Sequence, residues 1–208
     1  MLDYLRDPQE IYRRSFEIIR SETDLSAVPA ELHDLVIRVV HASGQPAIVS
    51  DLAWSDDFAA KAKAALAGGA TIFTDTRMVA EGVIVRRLPA QNKVVCRLYE
   101  AEAAELAKRL KTTRSAAAVD TWCERMAGAV VVIGNAPTAL FRLIELLIEG
   151  APPPAAILGF PIGFVGAAES KQALIEAGLG VPYVTLRGRL GGSAIAAAAL
   201  NALGSEPA

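Results

Sequence analysis

The stretch AVVVIGNAPTALFRLIELLIEG, residues 129–150, joins a short apolar run to a longer helical pattern. The run contains small and β-branched residues without polar alternation, which indicates a strand buried on both faces. A short turn then leads to Pro137, and proline is favoured in the first turn of a helix. The stretch therefore predicts a strand at 129–134 and a helix at 137–149.

This strand-and-helix unit recurs along the chain. Further apolar runs predict strands at 70–75, 93–98, 155–160 and 182–187, and helical patterns lie near 56–67, 101–110, 113–127, 168–177 and 191–203. Strands that alternate with helices form parallel sheets with helices on both faces. We therefore expect a doubly wound three-layer α/β/α fold with a mostly parallel five-stranded sheet. In such sheets, ligands bind beyond the carboxyl ends of the strands.

Two helices are predicted ahead of the first strand. DPQEIYRRSFEIIRSE, residues 7–22, has Asp7 as a cap and Glu10 at the capping-box spacing. Ser15 lies in the apolar stripe of this helix, where a hydroxyl either reaches a functional partner or bonds to a carbonyl one turn earlier. A second helix follows and ends at Gly44.

Composition and charge exclude several classes of protein. A chain of 208 residues with 52% hydrophobic and 21% charged residues is globular, and it is long enough to bury a core. Its net charge of -2 provides no electrostatic basis for binding nucleic acid. Arginine outnumbers lysine, which suits bidentate binding of a small acidic ligand, although the codon usage of a GC-rich genome explains the same bias.

Cysteine usage and the apolar segments bear on location and on metal binding. Cys96 and Cys123 are too few for a disulfide framework, and MLDYLRDPQE lacks the features of a signal peptide, so we expect a cytoplasmic protein. The uncharged stretch 151–168 contains prolines and glycines that would break a membrane helix, so we expect no membrane contact. Two histidines and two cysteines without ligand-like spacing predict no metal site.

The sequence also lacks the common nucleotide and hydrolase motifs. It has neither G-x-G-x-x-G after its first strand, nor G-x-x-x-x-G-K before Ser or Thr, nor G-x-S-x-G. Gly159, Gly163 and Gly166 form a weaker pattern, which close packing of a helix on a strand also explains. We therefore expect no nucleotide cofactor, and a nucleotide-binding oxidoreductase stays only as an alternative.

His41 is the most informative polar residue, because it falls where the second predicted helix ends. Asp34, Arg38 and His41 are spaced four and three residues apart, which places them along one side of that helix. An imidazole there can donate and recover a proton near neutrality. The alternative is structural: His41 stabilises the helix end as a cation, and Asp34 pairs with Arg38 on a solvated face.

Several segments together resemble the precorrin-8X methylmutase family of cobalamin biosynthesis, in order and spacing. They are HASG (41–44), DTRMVAEG (75–82), TRSAAA (113–118), GNAPTALF (134–141), GFPIGFVGAAESK (159–171) and GRLGGSAIAAAALNAL (188–203). The resemblance extends from Tyr12 to Leu203. One departure is Leu190, which stands where members of the family often carry a basic residue.

The resemblance implies a flavodoxin-like fold, a homodimer and no cofactor. It implies an isomerase that moves a methyl group from C-11 to C-12 of precorrin-8X and gives hydrogenobyrinate, which the enzyme binds tightly. His41 matches the family's histidine in H-x-x-G, the proton donor and acceptor. Protonation of a ring nitrogen would make the conjugated system electron-poor and ease a 1,5-sigmatropic shift of the methyl group.

The shape of this substrate predicts the rest of the site. A corrinoid with many acetates and propionates needs cationic groups at its rim and an apolar floor. We expect Ser15 and Arg38 to bind substrate beside His41, with further contacts from Arg114, Arg77, Arg187 and Arg189. For the last three, an exposed position or a surface ion pair is the alternative.

Three matters stay open at this point. The substrate is either metal-free or cobalt-precorrin-8, since both branches of the pathway use this family, and the protein is alternatively a non-catalytic corrinoid carrier. The small-residue C-terminal helix is one candidate for a dimer interface. We expect residues 1–208 to form a single domain in which helices at 8–43 contribute to the active site.

Overall fold

A mixed sheet forms the centre of the structure, a computed structural model that describes residue 2 and residues 4–204. Within these residues the strands are β1 Leu52–Trp54, β2 Ile72–Thr74, β3 Val94–Val95, β4 Val130–Ile133, β5 Ala156–Gly159 and β6 Tyr183–Leu186. Their order is β1-β6-β5-β4-β2-β3. Strand β1 runs antiparallel to β6, and all other neighbours are parallel.

The helices lie before, between and after the strands. Their bounds are α1 Pro8–Glu22, α2 His33–Ser43, α3 Phe58–Ala67, α4 Arg77–Gly82, α5 Ala101–Leu110, α6 Arg114–Asp120, α7 Pro137–Ile148, α8 Ala167–Glu176 and α9 Ser193–Leu203. Short 3-10 turns lie at Ala30–Leu32, Pro46–Asp51, Val85–Arg87 and Cys123–Arg125. None of the described helices is both long and apolar enough to cross a membrane.

The order of the parallel strands confirms the expected architecture. Numbered along the chain from β2, the parallel strands lie in the order 2-1-3-4-5, which is the doubly wound order of flavodoxin-like folds. Helices α2, α3, α4 and α9 pack on one face of the sheet. Helices α6, α7 and α8 pack on the other face, which completes three layers.

Strand β4 shows how the apolar run at 129–134 produces these layers. Val130 and Val132 point into the core on the α9 side, while Val131 and Ile133 point into the core on the α7 side. All four side chains are fully buried. Burial of one such aliphatic side chain stabilises the fold by about 1.5–3 kcal/mol, so this strand favours a position with helices on both faces.

Strand β1 has no counterpart among the predicted strands, so the sheet has six strands rather than five. It comprises only three residues and directly follows a 3-10 turn, which makes it too short to show an apolar pattern. Its pairing places Leu52 opposite Leu186, a residue far away in the sequence. An antiparallel edge strand of this kind is common on parallel sheets, but only tertiary structure selects it.

The predicted helix at 113–127 is also shorter than expected. Helix α6 ends at Asp120, and a separate 3-10 turn follows. The reason lies outside the helix, because Arg97 donates from Nη1 to the carbonyl of Thr121 over 2.9 Å. Trp122 turns into the core, where its ring stacks on Phe73 with 5.4 Å between centroids.

The amino-terminal helices form an outer layer over α9. Asp7 caps α1 by accepting from the backbone N–H of Gln9 at 2.9 Å, as predicted. Glu10 forms an ion pair with Arg13 at 2.6 Å. Helix α2 covers α9, whose side chains are largely buried. Ala194 of α9 is exposed and Ala198 is half-buried, so the candidate dimer interface on this C-terminal helix stays a prediction.

Gly134 marks the closest approach between the sheet and α9. A Cβ built on Gly134 would lie 2.7 Å from Val79 Cγ2, 2.8 Å from Ala196 Cβ and 2.9 Å from Ser193 Cα. Real Cβ atoms essentially never show contacts this short. The absence of a side chain therefore allows α4 and α9 to pack against the end of β4.

Gly134→Ala is expected to lower the free energy of unfolding by about 1–3 kcal/mol, because α9 must move away from β4. Chemical denaturation followed by circular dichroism measures this change. Gly68→Ala is the matched control, since a Cβ there meets only the Ala64 and Ala65 carbonyls at 3.4 and 3.5 Å. The control should change stability by less than about 0.5 kcal/mol. Equal stability of both variants would contradict the packing argument.

Candidate active site

His41 and Ser15 come together from the two amino-terminal helices. His41 lies in the last turn of α2, and its Nδ1 is 3.2 Å from Ser15 Oγ on α1. The ring of Phe16 stacks on the imidazole, with 5.2 Å between ring centroids and an interplanar angle of 28°. Ser15 thus reaches across to α2, and the imidazole has both a hydrogen-bonding partner and a stacking partner.

The imidazole also forms a shared wall of two cavities. One, of about 320 Å³, is lined by Ser15, Ile18, Val40 and His41 among others. The second, of about 410 Å³, contains His41 together with Arg38, Tyr12 and several residues of α9. The imidazole of His41 is therefore accessible from cavities large enough to receive part of an organic ligand.

The floor of the second cavity is apolar because α9 presents small side chains there. Ala194, Ala197 and Ala198 line it. Gly82 adds to this close packing, since a Cβ on that residue would lie 2.7 Å from Ala197 Cβ. The alanine-rich end of the sequence therefore provides an apolar surface of small side chains beside His41.

Arg38 holds a cationic position at the edge of the same cavity. Its Nη2 donates to the Tyr12 hydroxyl at 3.0 Å, and its guanidinium carbon lies 5.5 Å from the centre of the Phe16 ring. Asp34 contacts Arg20 of α1 at 3.5 Å. The predicted stripe of Asp34, Arg38 and His41 thus faces α1.

The four remaining arginines lie in other places around the carboxyl ends of the strands. Arg77 begins α4, and its guanidinium carbon lies 4.8 Å from the centre of the Tyr99 ring. Arg114 is the first residue of α6, and Thr113 is the N-cap of that helix. The Thr113 hydroxyl lies 2.8 Å from the Thr138 hydroxyl on α7. Arg77, Arg114, Arg187 and Arg189 are all exposed. Among the expected substrate-binding residues, the structure brings Ser15 and Arg38 into the cavities that contain His41.

The last two arginines follow β6. Arg187 donates from Nη1 to the carbonyl of Leu52 at 3.3 Å. Arg189 lies with its guanidinium carbon 5.4 Å from the centre of the Phe164 ring. Both are therefore placed at the carboxyl edge of the sheet, where the fold class predicts ligand binding.

Sequence reasoning missed Asp75, a buried carboxylate at the point where the strand order reverses. Its Oδ1 accepts from the N–H of Gly134 at 2.9 Å, and its Oδ2 accepts from Asn135 and Ala136 at 2.9 and 2.8 Å. Burial raises the pKa of the Asp75 carboxyl, and the three N–H donors act in the opposite direction. The sequence signal that could have indicated this residue is an aspartate directly after a buried strand.

Lys171 is a second buried charged group that the sequence patterns did not single out. It lies within α8, and its Nζ donates to the carbonyl of Leu190. Burial lowers the pKa of Lys171 to about 8, while Asp51 acts in the opposite direction. The described residues contain no group of three or more His, Cys, Asp or Glu side chains able to hold a metal ion.

Comparison with known proteins identifies the family. A family model described as Precorrin-8X methylmutase matches residues 10–206. A precorrin-8X methylmutase from Pseudomonas aeruginosa is 58% identical and covers 99% of this chain and 99% of that protein. A cobalt-precorrin-8 methylmutase from Methanothermobacter thermautotrophicus is 40% identical, over 93% and 91% of the two chains. A solved precorrin-8x methyl mutase from Thermus thermophilus superposes with a TM-score of 0.84 at 37% identity, covering 94% of each chain.

With this fold and these similarities, the protein is an α/β enzyme, an isomerase of cobalamin biosynthesis. The chain belongs to the precorrin-8X methylmutase family.

Proposed function

We propose that this enzyme converts precorrin-8X to hydrogenobyrinate by moving the methyl group from C-11 to C-12. The observation that carries the proposal is the contact of 3.2 Å between His41 Nδ1 and Ser15 Oγ in a wall shared by two cavities. The 58% identity to a protein named for the metal-free substrate, against 40% for one named for cobalt-precorrin-8, favours the metal-free compound. Cobalt-precorrin-8 stays the alternative substrate.

His41 is the proton donor and acceptor in this proposal. In the imidazolium form, Nδ1–H donates to Ser15 Oγ, and Nε2–H donates its proton to a ring nitrogen of the substrate. The electron-poor ring then undergoes the methyl shift, and the basic Nε2 takes the same proton back. Because the Nδ1–H stays hydrogen-bonded to Ser15 Oγ, only Nε2 of the imidazole exchanges a proton with the substrate. No net proton is gained or lost.

The substrate would be held by charge at its rim and by apolar contact on its face. Arg38 is the arginine nearest to the proposed chemistry, because it lines a cavity with His41. Ala194 and Ala197 provide an apolar floor in the same cavity. The remaining rim contacts are assigned to Arg114, Arg77, Arg187 and Arg189, and Ser15 acts beside the substrate through its contact with His41. Tight retention of the product follows from the many carboxylates of a corrinoid.

His41→Ala is expected to lower kcat by about a hundred- to ten-thousandfold, because the ring nitrogen loses its proton donor. An absorbance time course with anaerobic precorrin-8X measures the appearance of hydrogenobyrinate. Binding of hydrogenobyrinate, measured by absorbance titration, should change little. His33→Gln is the matched control on the same helix, since His33 Nε2 lies 2.9 Å from the Val28 carbonyl and lines neither cavity.

Each result distinguishes the proposed function from its alternatives. Binding without conversion by the wild type would support a corrinoid carrier, and conversion of cobalt-precorrin-8 alone would assign the other substrate. Full activity of the His41→Ala variant would exclude the proton-transfer role.

Ser15→Ala is expected to lower kcat about three- to tenfold, because the imidazole loses the bond that orients it. KM should stay within about twofold if orientation is the main effect. Ser21→Ala is the control, since the Ser21 hydroxyl donates to Ile18 O at 2.8 Å on the same helix. A kcat equal to that of the wild type would contradict the role of Ser15.

The active enzyme is proposed to be a homodimer in which residues 1–208 of each copy act as one domain. Helix α1 contributes no buried residue, and it exposes Ile11, Tyr12 and Ile18 by 45, 48 and 46%. A second copy would remove this apolar surface from water. Sedimentation velocity should give twice the mass of 21.9 kDa. A monomer at micromolar concentration would contradict it.

The cytoplasmic location and the contribution of the amino-terminal helices to the active site also belong to this proposal. Cys96 and Cys123 are both free thiols, which is typical of proteins in the cytoplasm. The helices between 8 and 43 supply Ser15, Arg38 and His41 to the proposed active site.

A further inference from the structure

Two loops at the carboxyl edge of the sheet are joined into one unit. They are residues 160–166 after β5 and residues 187–192 after β6, called here the paired loops. The N–H of Gly192 donates to Phe160 O at 2.8 Å, and the N–H of Gly163 donates to Arg189 O at 3.3 Å. A Cβ on Gly191 would collide with the Phe160 and Pro161 carbonyls. Displacement of either loop therefore disturbs the other.

Lys171 anchors this unit from beneath. Its side chain is completely buried, and its Nζ donates to Leu190 O in the second of the paired loops. An ammonium group in such a position is costly to bury unless it is hydrogen-bonded, in agreement with its lowered pKa of about 8. Lys171 lines neither cavity that contains His41, so the proposed chemistry does not use it directly.

The anchored loop leads directly to the floor beside His41. Gly192 is the N-cap of α9, and Ala194 in the first turn of that helix lines the cavity with His41. The start of α9 has little freedom on its other side, because Gly134 packs against Ser193. The position of Leu190 thus influences the position of the cavity floor.

The same unit displays groups suited to a large amphipathic acid. Phe164 and Val165 are 84 and 88% exposed, and Arg189 lies over the Phe164 ring at 5.4 Å. A cation next to an exposed aromatic face can contact both the carboxylate and the apolar part of a corrinoid.

We propose that Lys171 is a positioning residue that, through its bond to Leu190 O, holds the paired loops and the start of α9 in the arrangement that binds the corrinoid. The inference rests on the proposed function for the identity of the ligand. Lys171 itself does not contact the substrate.

The test compares Lys171→Met with the wild type and with Lys61→Met, a control at an exposed lysine on α3. Removal of a charge-assisted hydrogen bond is expected to raise the Kd for hydrogenobyrinate and the KM for precorrin-8X by about tenfold. The value of kcat should stay within about twofold, because His41 and Ser15 remain in place. Absorbance titration gives Kd, and the conversion time course gives KM and kcat.

Hydrogen exchange distinguishes local positioning from general loss of stability. The amides of Gly163 and Gly192 should exchange at least about tenfold faster in Lys171→Met, while those of Val131 and Val132 in β4 remain unchanged. Unchanged Kd and loop exchange would overturn the inference, and so would equal acceleration in β4.

Failure of the proposed function gives a different result. If the wild type binds hydrogenobyrinate but converts neither precorrin-8X nor cobalt-precorrin-8, the proposed conversion is wrong. The Kd values and exchange rates then still decide the role of Lys171.

Discussion

At the centre of the sheet, the carboxylate of Asp75 accepts three backbone N–H groups from the turn after β4. This interaction connects the end of β2 to the start of α7 at the point where the strand order reverses. It satisfies the backbone N–H groups of the three turn residues that directly precede Pro137, the first residue of α7. With the turn held in this way, Gly134 can receive α9 at close range, and α9 in turn forms the apolar floor beside His41.

The candidate site contains very few titratable groups, and the contacts around His41 hold its imidazole in place. His41 has Ser15 at Nδ1 and Phe16 against its ring, so neighbours on α1 set the orientation of the imidazole. The proposed proton transfer rests on one imidazole that lines two cavities. Arg38 lines a cavity with His41, and the other expected arginines lie farther away, around the carboxyl ends of the strands.

Agreement between sequence and structure was best where local pattern and burial coincide. The apolar runs at 70–75, 129–134, 155–160 and 182–187 contain β2, β4, β5 and β6, because a strand buried on both faces leaves an uninterrupted apolar signal. Strand β1 was missed because its pairing with β6 is stabilised by residues distant in sequence. The shortening of the predicted helix at 113–127 had a similar cause, since Arg97 from another segment occupies the carbonyl of Thr121.

Local patterns were enough to predict the α/β class, the capped first helix and His41 at a helix end, since each depends on neighbours a few residues apart. The parallel sheet was predicted from the alternation of strands with helices along the chain. Tertiary structure decided that Ser15 meets His41, that most side chains of α9 are buried, and that Asp75 and Lys171 are buried. These contacts join residues separated by 19 to 61 positions. Spacing along one element predicts which side chains share a face, but only the packing of separate elements brings such distant partners within hydrogen-bonding distance.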